Sequence, residues 1–425
     1  MRMSVVGRGL AEGFLPAEEV ARIAREGLAR LPVDGRRVLV LIPDGTRTMP
    51  MPLMFEALER ELGPRVAALD FLVALGTHTP MSDAQLARLI GRPVANGMAG
   101  TRRIFNHQWD EPSTFARIGT IPARDVAELS AGRLREDVPV ELNRLVVEYD
   151  HVLICGPVFP HEVVGFSGGT KYLFPGIAAA GIIHFTHWLG ALITSSEVIG
   201  TIDTPIRAVI NRAASLLPTP VSLLAVVVTH EGIAGMFCGD VDAAWRQAAA
   251  CSSRRHIVWL DQPADRILAV MPEMYSDIWT AGKGVYKTDP AIADGGEVIV
   301  FAPHVSEVSH VHGRLIEEVG YHCRDYFLGQ WARFQKYPGG ILAHSTHVKG
   351  LGTYDTVRGV ESPRIRVTLA TGIPRARCER INLGYQDPAE VDAEEWSDQP
   401  GGRTFMVPRA GEMLFRVGQP PGDPS

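Results

Sequence analysis

Cysteine is scarce in this chain and never closely paired. Cys155, Cys238, Cys251, Cys323 and Cys378 are scattered, an odd total with no C-x-x-C among them. That pattern excludes a disulfide framework and points to a reducing compartment. Long apolar runs are missing as well. No uninterrupted stretch reaches the ~18 residues of a membrane span, and the opening MRMSVVGRGLAEGF lacks the apolar core of a secretory signal. The expected location is the cytoplasm, with no membrane partner. There is no basic surplus either: 48 acidic residues face 42 lysines and arginines, a formal net charge of −6. That leaves no electrostatic footprint for nucleic acid. No G-x-G-x-x-G follows the early strands, which counts against a dissociable dinucleotide. Internal repeats and low-complexity tracts are also absent.

What is present is an ordinary globular composition, 46% hydrophobic and 21% charged, spread over 425 residues. That is too long for one core, so two domains are expected. Pro16 opens a helix carrying Val20, Ile23, Leu28 and Leu31 at helical spacing. RRVLVLIPDGTR (36–47) reads as a buried strand ending in a polar turn, where open α/β sheets place ligands. Met51–Leu62 reads as a helix stopped by Gly63-Pro64, and residues 66–78 repeat the strand-then-turn pattern. Ser82 with Gln85 forms a capping box for the next helix. Further strands are expected at Asp150–Cys155, Leu223–Val228, Arg266–Met271, Glu297–Phe301 and Ile341–His344. The alternation predicts an α/β protein of two domains, each a mainly parallel sheet flanked by helices, with the active site in the interdomain cleft. The boundary is placed near 261–265. An N-terminal α/β domain (1–262) would carry the site, a C-terminal α/β domain (263–395) would close over it, and 396–425 would be a tail. Residues 386–403, acidic and rich in proline and glycine, read as surface or linker.

The densest chemistry lies between His161 and His187. A histidine, the turn Ser167-Gly168-Gly169 and Lys171 fall close together, and His184 and His187 follow three apart on one helical face. That spacing suits metal ligation or a ligand with its supporting neighbour, although packed histidines would look the same. Ser167–Lys171 resembles a phosphate cradle, with glycines for close amide approach and a lysine for charge. It is not a P-loop: counted from Gly165, Thr170 stands where the second glycine belongs and Tyr172 where Ser or Thr belongs. Lys171, framed by Tyr172, Leu173 and Phe174, also suits covalent cofactor attachment, because partial desolvation lowers a lysine's pKa. Asp44, Thr46 and Arg47 form a turn suited to a phosphate or carboxylate. His78 and His107 each lie near an expected strand end.

Taken together, PDGTR, GTHTPM, NHQWD, HEVVGFSGGTK…PG…H and FAPHVSE resemble the lactate racemase family, enzymes that use a nickel-pincer nucleotide. The motifs occur in family order across roughly residues 40 to 335, and the His-x9-Lys-x15-His spacing is the most specific part. The resemblance implies that Lys171 holds the nickel-pincer nucleotide covalently, with His187 as the protein ligand to nickel. It implies that His107 and His161 are the acid/base pair, and that Asp44, Thr46, Arg47, Ser167, Gly168 and Gly169 contact the nucleotide. Trp331 resembles a family tryptophan near the site. Recombinant protein made without the cofactor's biosynthesis would leave Lys171 free. Implied partners are a small 2-hydroxy acid substrate and the cofactor-making enzymes, and a homo-oligomer is allowed.

The expected activity is a racemase or epimerase inverting C2 of a 2-hydroxy acid by proton-coupled hydride transfer, through a 2-keto acid. Histidine suits the proton transfers because its pKa lies near neutrality. The chain departs from the lactate enzymes in its carboxylate clamp. Thr79 replaces an arginine, and Tyr286-Lys287-Thr288-Asp289-Pro290 replaces a Tyr-Gln-x-x-Lys segment. Thr79, Lys283, Lys287 and Trp331 are therefore the substrate-binding candidates, and a larger aliphatic, aromatic or sugar-derived acid is as expected as lactate. Two other readings stay open: a soluble oxidoreductase or isomerase using a dissociable nucleotide, and a non-catalytic metal- or small-ligand-binding relative.

Overall fold

The computed structural model describes residues 4–392, 396, 400 and 402–420. The chain forms two compact units that interleave in sequence. Unit 1 comprises 1–159, 166–186 and 202–255, and unit 2 comprises 160–165, 187–201 and 256–425. The main division thus falls a few residues before the expected boundary, and two short segments of the expected first domain belong to unit 2 instead.

Unit 1 is built on an eight-stranded sheet in the order Val6–Gly9, Gly232–Asp240, Val221–Thr229, His151–Pro157, Arg37–Ile42, Ala68–Val73, Arg102–Asn106, Met98–Ala99. The central pairings, from Val221–Thr229 through to Arg102–Asn106, are all parallel. The 37–42 strand is buried from Val38 to Ile42, as a central parallel strand covered on both faces must be. Helix Ala17–Ala29 turns Val20, Ile23, Ala24, Gly27 and Leu28 inward, and helix Met51–Leu62 adds Met54, Phe55, Leu58 and Leu62. These side chains and the strands share one core. The Ser82–Gln85 capping box forms as expected, and Gly91 closes that helix in the left-handed conformation, φ 73°.

The outer strands Val6–Gly9 and Gly232–Asp240 are antiparallel to their neighbours and were not anticipated. Their glycines conceal the strand pattern: a Cβ on Gly7 would lie 2.5 Å from the Phe237 ring, so close backbone approach replaces side-chain packing there. A hairpin of Phe115–Ile121 and Val138–Asn143 completes unit 1.

Unit 2 holds a fully parallel five-stranded sheet, ordered Gly384–Tyr385, Arg366–Thr371, Ile292–Ala302, Ala264–Val270, Thr404–Pro408. The stretch expected to form a tail therefore supplies an edge strand, and Leu414–Val417 pairs with Ile257–Leu260. Part of the 386–403 segment and residues 421–425 lie outside the described residues. One expectation fails outright: Ile341–His344 is not a strand but part of helix Gly339–Lys349, buried from Gly340 to Lys349. A helix buried all round shows no amphipathic period, so a short apolar run reads equally well as strand. Among the described residues no helix is long and apolar enough to cross a membrane.

Candidate functional site

In unit 1 the parallel strands 37–42 and 151–157 run out at Pro43-Asp44 and Pro157. Beyond these ends lies a half-open pocket whose lining includes Asp44, Arg47, Phe159, Ser167, Gly168 and Lys171. That is where a parallel sheet presents ligands. Lys171 is half-buried in a tight turn, Gly169–Tyr172. Only glycine fits at positions 168 and 169. Gly168 (φ +76°) would bring a Cβ within 2.6 Å of Val158, and Gly169 (φ +58°) would bring one within 2.9 Å of Trp245.

The back of this turn is held by residues that sequence reasoning missed. Trp245 Nε1 donates to the Ser167 carbonyl at 2.8 Å. Arg207 donates to the Phe166 carbonyl, and at 3.2 Å to both the Gly168 carbonyl and Thr170 Oγ1. Its guanidinium lies 4.0 Å from the Trp245 ring centroid. Burial pushes the Arg207 pKa down to about 9. The turn's carbonyls are thus drawn back into the protein. The Ser167 hydroxyl is engaged within the turn, donating to the Pro157 carbonyl and accepting from the Phe159 amide, both at 3.0 Å.

Asp44 is a buried carboxylate occupied by its neighbours. Oδ1 accepts from the Thr46 amide at 3.1 Å and its hydroxyl at 2.7 Å, while Oδ2 meets His78 Nδ1 at 2.5 Å. Burial alone would raise its pKa, but His78, Arg47 and Thr46 together hold it well below the carboxylate range. Asp44 therefore orients this turn and offers no donor to an anion. Arg47 stacks 5.7 Å from the Phe159 ring centroid.

His107 follows strand Arg102–Asn106 and is fully buried. Asn143 Nδ2 lies 3.2 Å from its Nδ1, and its Nε2 has no hydrogen-bond partner. Burial pushes the His107 pKa down to about 4, against smaller opposing effects of the Ala178 backbone and Asp110. The ring is neutral at physiological pH. His184 is half-buried with Nδ1 unpartnered, its pKa lowered by burial. Thr79 is exposed. The structure thus gathers Asp44, Arg47, Ser167, Gly168 and Lys171 about one cavity, and His107 is not among its lining.

In unit 2, His161 is buried. Its Nδ1 lies 3.2 Å from the Val163 amide, which donates to it, and 3.3 Å from a Glu162 carboxylate oxygen. His187 is half-buried on helix Ala180–Ile193, followed by Trp188, which stacks on Trp331 at 5.2 Å and 11°. Around His187 the structure adds histidines that were not anticipated. Burial holds both His344 and His347 far below the usual histidine range, His347 at about 3, and proximity to His187 acts in the same direction. His344 Nε2 meets the Tyr321 hydroxyl at 3.1 Å, and His347 Nε2 is buried without a partner. The i,i+3 spacing in AHSTHVKG was legible, but assigning the run to a strand hid it. Lys287 is buried, with Nζ donating to the Glu412 carbonyl at 2.7 Å. Lys283 Nζ lies 4.2 Å from the Tyr275 ring centroid. Trp331 is 38% exposed, accessible enough to meet a ligand. All five cysteines are buried free thiols. Among the described residues no three His, Cys, Asp or Glu side chains gather as a metal site.

Residues 20–200 match the family model described as the lactate racemase N-terminal domain. Two curated lactate racemases align over about two thirds of the chain. That of Thermoanaerobacterium thermosaccharolyticum is 24% identical over 288 residues, and that of Lactiplantibacillus plantarum is 25% identical over 289. Each alignment covers 66% of this chain and 63% of the relative's length. A crystal structure of a Thermotoga maritima protein superposes with a TM-score of 0.85 at 31% identity, covering 94% of this chain and 98% of that one. The lactate racemase apoprotein of T. thermosaccharolyticum superposes with a TM-score of 0.70 at 18% identity, covering 97% and 94%.

Proposed function

This chain belongs to the lactate racemase family, and from that premise we propose that it inverts C2 of a 2-hydroxy acid, using a nickel-pincer nucleotide held covalently on Lys171. The observation that carries the proposal is the Lys171 turn. An amine lines a half-open pocket together with Arg47, on a glycine turn whose carbonyls Arg207 and Trp245 draw away. A phosphate-bearing group tethered through nitrogen fits that chemistry: the Arg47 cation lines the same cavity as the anchor, and the turn is held to glycine because a Cβ at Gly168 or Gly169 would clash with the protein. His187 is the proposed protein ligand to nickel. A metal that arrives within an organic group needs only one such ligand, so a three-residue cluster is not required.

When bound, this group would supply a reversible acceptor for the C2 hydrogen together with its electron pair. The chain's own residues handle the protons. His107 and His161 are proposed to handle the hydroxyl proton of the two stereoisomers, histidine being the side chain whose ordinary pKa lies near neutrality. Thr46, Arg47, Ser167, Gly168 and Gly169 would surround the nucleotide, with Asp44 orienting its own turn. Lys283 and Lys287 are the lysines proposed for the substrate carboxylate, with Thr79 and Trp331 as further contacts. A clamp rebuilt in this way favours a 2-hydroxy acid larger than lactate. The buried free thiols support placing the enzyme in the cytoplasm beside the cofactor-making enzymes.

The test is co-expression with those enzymes, followed by intact mass, nickel content and a screen of chiral 2-hydroxy acids. The wild type should carry a mass adduct that maps to Lys171, and Lys171→Ala should lose both adduct and activity. His107→Gln and His161→Gln should keep the adduct while turnover falls by roughly 10²-fold or more. Undiminished racemisation by Lys171→Ala would refute the proposal.

A further inference from the structure

We infer that Asn143 is a positioning residue for His107: it fixes which ring nitrogen bears the proton, holding the neutral imidazole as the Nε2–H form. The amide of Asn143 has only one orientation available. Its Oδ1 accepts the Leu145 amide at 3.1 Å, so its NH2 is the end that faces His107 Nδ1 at 3.2 Å. The Asn143 backbone is held too, its N–H donating to the Ile177 carbonyl at 2.9 Å. An amide NH2 can only donate, so Nδ1 must offer its lone pair, and the single hydrogen of a neutral ring then resides on Nε2.

Charging the ring would set an Nδ1–H against the Asn143 NH2, which adds to the cost of burial. The groups that act the other way are the Ala178 backbone and Asp110, and the edge of Phe115 covers the ring at 5.6 Å. The Ala178 effect is a backbone hydrogen bond that favours the charged ring. Among the described residues Nε2 has no partner of full hydrogen-bond geometry, and a buried donor left so is costly unless a ligand oxygen completes it. The inference rests on the reading that His107 handles the substrate's C2 oxygen. It gives that residue a definite starting state, as a donor at Nε2. To withdraw a proton at Nε2 the ring must first carry its hydrogen on Nδ1, which Asn143 opposes.

The experiment is long-range ¹H–¹⁵N correlation on full-length, cofactor-free protein labelled at histidine, with His107→Gln assigning the signals. The wild type should show His107 as the Nε2–H tautomer from pH 6 to 8. Asn143→Asp keeps an oxygen for Leu145 but replaces the donor by an acceptor. It should switch the ring to Nδ1–H and raise its titration midpoint from about 4 by roughly one to three pH units. Asn143→Ala should give a mixture of tautomers. If the alanine variant fails to fold, the isosteric aspartate variant still decides the matter. An Nδ1–H tautomer in the wild type, or unchanged His107 signals in Asn143→Asp, would overturn the inference while leaving the racemase proposal standing. Conversely, the predicted tautomers in a protein that never inverts a 2-hydroxy acid would sink the racemase proposal alone. In loaded enzyme, Asn143→Asp should move the acidic limb of the kcat profile upward in pH, a shift that a purely structural role would not produce.

Discussion

A buried guanidinium with no carboxylate bonded to it is costly to keep, and among the described residues Arg207 is such a group: it is 2% exposed and its guanidinium bonds there only to the Phe166 and Gly168 carbonyls and the Thr170 hydroxyl. Its removal should strand those carbonyls. Arg207→Leu is expected to destabilise unit 1 by about 2–4 kcal/mol, read as a lower denaturant midpoint, and to impair attachment at Lys171. An unchanged midpoint would show that the carbonyls find other donors. At this scale legibility was uneven. Lys171 stood out because glycines and a lysine together have few structural uses, whereas Arg207 and Asn143 look in sequence like any polar residue on a helix or at a strand end. What gives them meaning is the atom each one faces, and a linear pattern carries no trace of that.

At the scale of elements, the end of strand His151–Pro157 is fitted to the Lys171 turn through Gly156. A Cβ there would lie 1.9 Å from the Tyr172 hydroxyl. Gly156→Ala should therefore displace Tyr172 and lower the thermal midpoint by roughly 5 °C or more, and cofactor attachment should suffer with it. Gly45→Ala, whose Cβ would meet nothing closer than the Met81 methyl at 3.7 Å, should leave the midpoint within about 1 °C. Equal effects from the two variants would contradict this account. Strands with β-branched, fully buried sequences were legible, as were the Pro16 helix start and the Ser82–Gln85 box, because each local signal agrees with its tertiary setting. Helix Gly339–Lys349 was misread because burial on all sides erases its period.

At the scale of the whole molecule, two domains follow from length, but the interleaving of 160–165 and 187–201 into unit 2 does not. Nothing in a short loop or half a helix marks which core it will join. The acid response also belongs to this scale. Burial lowers His107 and His151 to about 4 from an ordinary 6.5. Below pH 6.5 the unfolded chain takes up protons that the folded chain refuses, so stability is full above that pH and declines down to about 4. At pH 5 each ring should cost about 2 kcal/mol relative to pH 7.5. The denaturant midpoint should fall over that interval, and fall less in His151→Gln. A midpoint independent of pH between 7.5 and 5 would mean that these rings are not held neutral.

The measurement that tests the central claim most directly is racemisation in D2O. One enantiomer from a panel of chiral 2-hydroxy acids is supplied to enzyme whose Lys171 adduct has been verified by mass, and the isotope at C2 of the opposite enantiomer is read. The account predicts that the inverted product forms and keeps protium at C2, because that hydrogen leaves and returns with its electron pair. Deuterium at C2, or no inversion of any acid in the panel by verified enzyme, would contradict it.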